Sequence, residues 1–153
     1  MHDLDQIDLY LLSVLQTDAR ITLASIAERV GLSLSACQRR IRRLESENVI
    51  EGYGAWVNPA RLGLEVVAFV RIELEKQGTT ERAAFEAAVL ALPLVLECHL
   101  LAGHGAYLLR VASNDLAEFE ATVAPQLAAL PYAGRITAEF SGGVVKRWKG
   151  WEV

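Results

Sequence analysis

Four arginines, Arg39, Arg40, Arg42 and Arg43, fall within five consecutive positions, with Ser35 and Gln38 just ahead of them. A guanidinium stays charged at physiological pH and donates from a flat fork, so it suits a phosphate or the major-groove edge of guanine. On a helical wheel whose inner stripe is Cys37, Ile41 and Leu44, the opposite face carries Ser35, Arg39, Arg42 and Ser46, flanked by Gln38 and Arg43. Small polar residues opening a helix, followed by outward arginines, fit a helix laid in the major groove of DNA. The plain alternative is a solvated basic face paired with Glu45 and Glu47. What decides between them is the set of elements that carry the cluster.

Those elements read as three short helices. Leu4, Ile7, Leu11, Leu12 and Leu15 recur at helical spacing and predict a helix over about Asp5 to Gln16. Thr22 can cap a second helix, Leu23 to Val30, with Ile26, Ala27 and Val30 inward and Glu28 and Arg29 outward. Gly31 supplies the positive φ that ends it. Ser33 caps a third helix from Leu34 to about Glu47, the one bearing the arginines. Helix, short glycine turn and helix make a helix-turn-helix, and in that setting the DNA reading displaces the solvated-face reading.

Residues 49–53 read as a short strand and turn, giving a first domain over residues 1–52 and a linker over 53–65 marked by Asn58-Pro59 and Gly63. From residue 66 the periodicity changes. Strands are predicted over Val66–Glu75, Val95–Leu101, Tyr107–Ala112 and Arg135–Phe140. Helices are predicted over Glu81–Leu92, capped by Thr79 or Thr80, and over Asp115–Leu130, capped by Asn114. The order β-α-β-β-α-β is the split, ferredoxin-like arrangement, so residues 66–153 form the second domain of an α+β chain.

Composition is that of a folded protein outside membranes, and its net charge argues weakly against a nucleic-acid binder unless a local patch is hidden in it. The chain has 153 residues, 52% apolar and 22% charged, which is enough to bury a core. No run of eighteen apolar residues marks a membrane span, and the acidic opening Met1-His2-Asp3-Leu4-Asp5 has no signal-peptide character. With two cysteines and no export signal, the expectation is free thiols in the cytoplasm. The net charge is −4, and residues 1–52 hold six basic against eight acidic side chains, so DNA affinity must come from a focused patch.

Other reactive types lead elsewhere. Cys98 and His99 are neighbours on a predicted strand and point to opposite faces, and no zinc spacing occurs, so no metal is expected. There is no glycine-rich phosphate loop, nucleophile elbow or paired carboxylate set, so neither a cofactor nor catalysis is expected. Trp56, Trp148 and Trp151 read as packing in the linker and tail. Lys146, Arg147 and Lys149 read as a solvated basic tail, with a contact to flanking DNA or a neighbouring dimer as the alternative.

The motifs together resemble the Lrp/AsnC family of feast/famine transcription regulators. The resemblance rests on Leu4-Asp5-Gln6-Ile7-Asp8, Asp18-Ala19-Arg20, Gly31-Leu32-Ser33 and Arg39-Arg40-Ile41-Arg42-Arg43-Leu44-Glu45. It continues through Val49-Ile50-Glu51-Gly52-Tyr53, Asn58-Pro59, Leu62-Gly63, Glu97-Cys98-His99 and Gly103 with Tyr107, in register over essentially the whole chain. It implies a sequence-specific regulator of double-stranded DNA that responds to an amino acid or related metabolite. It also implies homodimers built through the sheets, assembling to tetramers or octamers. Ser35, Gln38, Arg39 and Arg42 match the family's DNA-contact positions, with Arg43 beside them, and Gly103, His104, Gly105, Ala106 and Tyr107 match its ligand loop. That loop departs from the family's Gly-Asp-x-Asp-Tyr, because both acids are absent here. Three readings follow: a ligand other than an ordinary amino acid, an amino acid held by acids from elsewhere such as Glu97 or Glu139, or no effector. Two other classes stay in view. One is an architectural DNA-binding protein. The other is an enzyme like the sirohaem decarboxylases, which resemble this architecture and would use His99 and His104.

Overall fold

A computed structural model of the protein describes residues 4–103 and 105–153. It divides into two compact units: residues 1–56 together with 145–153, and residues 57–144.

The first unit is built on α1 (Gln6–Thr17), α2 (Leu23–Val30) and α3 (Leu34–Ser46). Each begins where a side-chain oxygen satisfies a backbone N–H that the helix leaves open. Asp5 accepts from Asp8 N, Thr22 from Ser25 N and Ser33 from Ala36 N. Gly31 ends α2 at φ +67°, the left-handed conformation that favours glycine. Leu11, Leu12, Ile26, Ala27, Cys37 and Leu44 form the core, so the predicted stripe of all three helices faces inward.

The strand expected at residues 49–53 does not form. Val49 and Ile50 instead donate to the Leu44 carbonyl and close the end of α3. Among the described residues, no strand lies beside them to take up a ladder.

Residues 145–153 join this unit through the tryptophans. Trp148 stands edge-on between Trp56 (5.9 Å between ring centroids) and Trp151 (6.2 Å). The Gln16 side chain accepts from Trp151 N (2.5 Å) and donates to Trp151 O (3.1 Å). Gly150, at φ +114°, permits this approach, since a Cβ there would stand 2.4 Å from Gln16 Oε1.

The second unit runs β1 (Val66–Leu74), α4 (Thr79–Leu90), β2 (Val95–Leu101), β3 (Ala106–Ser113), α5 (116–128) and β4 (Ala133–Phe140). Every strand pairing is antiparallel, in the order β2-β3-β1-β4. This is the expected split arrangement.

Alternation puts Ala68, Val70, Ile72, Tyr107, Leu109 and Val111 on the helix-covered face with Phe85, Val89, Phe119, Val123 and Leu127. The other face carries Phe69, Arg71, Glu73, Leu108, Arg135, Thr137 and Glu139 around a shallow hollow of about 370 Å³.

Two caps differ from expectation. Helix α4 starts at Thr79 behind Gly78, with no capping side chain, and Asp115 rather than Asn114 caps α5 by accepting from Glu118 N at 2.7 Å. Helix α5 widens into a π-turn over Phe119–Val123, where Ala124 N–H reaches Phe119 O just ahead of Pro125. Proline has no N–H, and its ring crowds the carbonyl four residues back.

Candidate nucleic-acid interface and effector turn

The arginine cluster divides by direction. Arg40 Nη1 bonds Asp5 at 2.7 Å and Asp8 at 2.9 Å, and Arg43 Nη2 bonds the other oxygen of Asp8. The Asp8 side chain is only 1% exposed. Its carboxylate also accepts from Asp5 N, completing a reciprocal capping box at the start of α1. Asp8 of α1 and its N-cap residue Asp5 thus bind two arginines of α3, fixing the rotation of α3 about its own axis. The Asp8 backbone N–H and the Arg40 guanidinium hold the Asp5 carboxyl below the usual carboxylate range.

Ser35, Gln38, Arg39 and Arg42 are all exposed on the opposite side. Neither Arg39 nor Arg42 has an ion pair among the described residues. Glu45, their nearest candidate in sequence, accepts instead from the Tyr53 hydroxyl at 2.9 Å. Burial and Glu45 push that hydroxyl's pKa up to about 12. Cys37 is buried under the helix, and burial raises its thiol.

Along one face, α3 therefore offers two small polar side chains in its first turn and a half, then two unpaired guanidiniums. That set can donate to and accept from base edges and neutralise phosphates.

The second candidate from sequence is the β2–β3 turn. His104 lies outside the described residues. Gly103 takes φ +108° with open space above it, whereas a Cβ at Gly105 (φ +61°) would stand 2.4 Å from Gln77 Oε1. Of the two glycines, only Gly103 leaves its backbone open to a ligand. Ala106 and Tyr107 are buried.

The Tyr107 ring packs 4.6 Å from Phe85, and its hydroxyl donates to Glu86 Oε1 at 2.7 Å. Burial, then Glu86, raises the Tyr107 pKa to about 12. Cys98 and Tyr107 lie on this same side of the sheet, and Cys98 is exposed because β2 is an edge strand. Its thiol is raised by burial of the sulfur and by Glu86.

Glu97 and Glu139, the acids considered from sequence, stand on the opposite face. Glu97 Oε1 pairs with Arg110 Nη2 at 2.8 Å and its other oxygen lies 3.6 Å from His99. The acid bonded to Tyr107 is Glu86 of α4, which sequence reading passed over. No local pattern marks it, because it meets Tyr107 only once α4 packs on the sheet. Among the described residues, no three of His, Cys, Asp or Glu gather as a metal site.

Comparison with known proteins places this geometry. Residues 4–51 match the family described as winged helix-turn-helix DNA-binding, and residues 67–149 match the Lrp/AsnC ligand binding domain. The Bkd operon transcriptional regulator of Pseudomonas aeruginosa is 38% identical over 141 residues, covering 92% of each chain. The leucine-responsive regulatory protein of Rhizobium meliloti is 41% identical over 127 residues, covering 83% of this chain and 81% of that one. A transcriptional regulator from Neisseria meningitidis, solved as a complex with L-Met, superposes with a TM-score of 0.86 at 32% identity, covering 94% of this chain and 93% of that one. With a DNA-binding domain and a ligand-binding domain matched in order along one chain, the protein belongs to the Lrp/AsnC family of ligand-responsive transcriptional regulators.

Proposed function

We propose that the protein regulates transcription by placing Ser35, Gln38, Arg39 and Arg42 of α3 in the major groove. In this reading Arg43 and Arg40 hold the helix in place through Asp8. The observation that carries it is the division of four adjacent arginines into an inward pair bound to acids and an outward pair bound to none. A merely solvated basic helix has no need of that division.

Two copies joined through the open faces of their sheets would present two such helices to successive grooves, and such dimers would assemble into tetramers or octamers. The protein acts by binding rather than catalysis, in the cytoplasm with the DNA it reads.

The effector is an amino acid or a related small metabolite. Its ammonium group is met by Glu86, held in place by Tyr107, in place of the acids missing from the turn, and the open backbone at Gly103 meets its carboxylate. Ligand shifts DNA affinity only as far as it distinguishes the assembly states.

The test is binding to DNA upstream of the protein's own gene against excess random competitor, with and without L-methionine and L-leucine. Competitor-resistant binding that an amino acid alters is the expected result, and Glu86→Gln should abolish the alteration while leaving DNA binding intact. Equal, weak binding to any duplex would turn the reading toward an architectural role.

A further inference from the structure

The segment after β4 presents three cations, Lys146, Arg147 and Lys149, interleaved with Trp148 and Trp151. All three are exposed, and among the described residues none has an ion pair. The segment is nonetheless not loose. The tryptophan ladder and the two-point Gln16 clasp fix it to the unit that contains α3. A side-chain amide that both donates to and accepts from one residue's main chain acts as a short piece of β-ladder. Gly150 is what lets it approach.

Charge gives the clasp a purpose. Residues 1–56 carry six basic and eight acidic side chains, two of the basic ones committed to Asp8. The docked segment adds three basic and one acidic, bringing the unit to neutrality. A DNA-binding unit with excess negative charge repels the polyanion it reads, and a docked segment has only side-chain freedom left to lose when its cations meet phosphate.

We propose that residues 145–153 are a second DNA-contacting element, clasped to the helix-turn-helix so that Lys146, Arg147 and Lys149 neutralise backbone phosphates beside the site read by α3. This rests on the DNA-binding reading given above.

The experiment measures DNA affinity of the full chain at several salt concentrations for four proteins: wild type, Arg39→Ala, the triple variant Lys146→Ala/Arg147→Ala/Lys149→Ala, and Trp148→Ala. For the triple variant, the slope of log K against log salt should become shallower by about 0.9 for each phosphate that each subunit no longer neutralises, on specific and random duplex alike. Trp148→Ala keeps every charge and frees the segment, so it should weaken binding at low salt. A wild-type slope in the triple variant, alongside a weakened Arg39→Ala, overturns the proposal and leaves the α3 reading standing. Wild-type binding by Arg39→Ala itself would overturn that reading first.

Discussion

Replacing Asp8 with asparagine tests the frame on which the interface depends. The substitution keeps the shape and one acceptor oxygen, but removes the charge and turns an amide NH₂ toward guanidinium donors. Asp8 is buried and accepts from Asp5 N, Arg40 and Arg43. Losing at least one charge-assisted bond removes about 1.5–3 kcal/mol, and leaving a donor facing a donor adds to that. Two features cap the loss: the Arg43 side chain is 41% exposed and can turn to water, and Arg40 keeps Asp5. A net cost of about 2–3 kcal/mol follows. In a unit of this size that lowers the melting temperature by roughly 10–20 °C.

Thermal unfolding of the full chain followed by circular dichroism reads the shift, and urea titration reads the free energy. Arg43→Gln should cost less, and the double variant should cost less than the two single ones added, because they break one shared interaction. An Asp8→Asn protein melting within about 3 °C of wild type would refute the claim that this carboxylate anchors α3.

Other outcomes follow from the same geometry. Arg39→Ala should leave the stability within about 0.5 kcal/mol of wild type, while lowering DNA affinity and making its salt slope shallower by about 0.9 per phosphate, as read by titration at several salt concentrations. Tyr53 and Tyr107 should ionise only near pH 12, seen by ultraviolet absorbance. An unfolded tyrosine ionises near pH 10, so the folded state holds protons that the unfolded chain releases. Their contribution to stability is therefore full below about pH 10 and lost as pH rises toward 12, and Tyr107→Phe should flatten that loss. Gly105→Ala forces a side chain into φ +61° and displaces Gln77, so urea unfolding should show a loss of about 1–2 kcal/mol.

Much of the fold was legible because its signals are local. Thr22, Ser33 and Gly31 mark helix ends by hydrogen bonding and φ preference within three residues, and the inner stripes follow helical period. The alternation of Val70, Ile72, Leu109 and Val111 marks strands in the same way. What sequence missed depends on partners distant along the chain. Val49–Tyr53 has strand-like residues but no strand to pair with. The wheel sets Arg39 and Arg42 outward, but it does not show that Asp8, about thirty residues earlier, claims Arg40 and Arg43. Glu86 meets Tyr107 only when α4 folds over the sheet, and the tail is tied to α1 by a glutamine with no pattern of its own. Asp115 rather than Asn114 caps α5, and α4 starts behind Gly78 with no capping side chain, because local signals place a helix end only to within a residue or two.

The separation of inward from outward arginines also bears on how such a helix can change its target. Since Arg40 and Arg43 hold the helix and the positions at 35, 38, 39 and 42 face solvent, residues there can be exchanged without breaking a contact that holds α3. In the reading proposed for α3, one scaffold could then acquire new operator sequences a single position at a time. A change at position 40 or 43 costs stability before it can alter what is read.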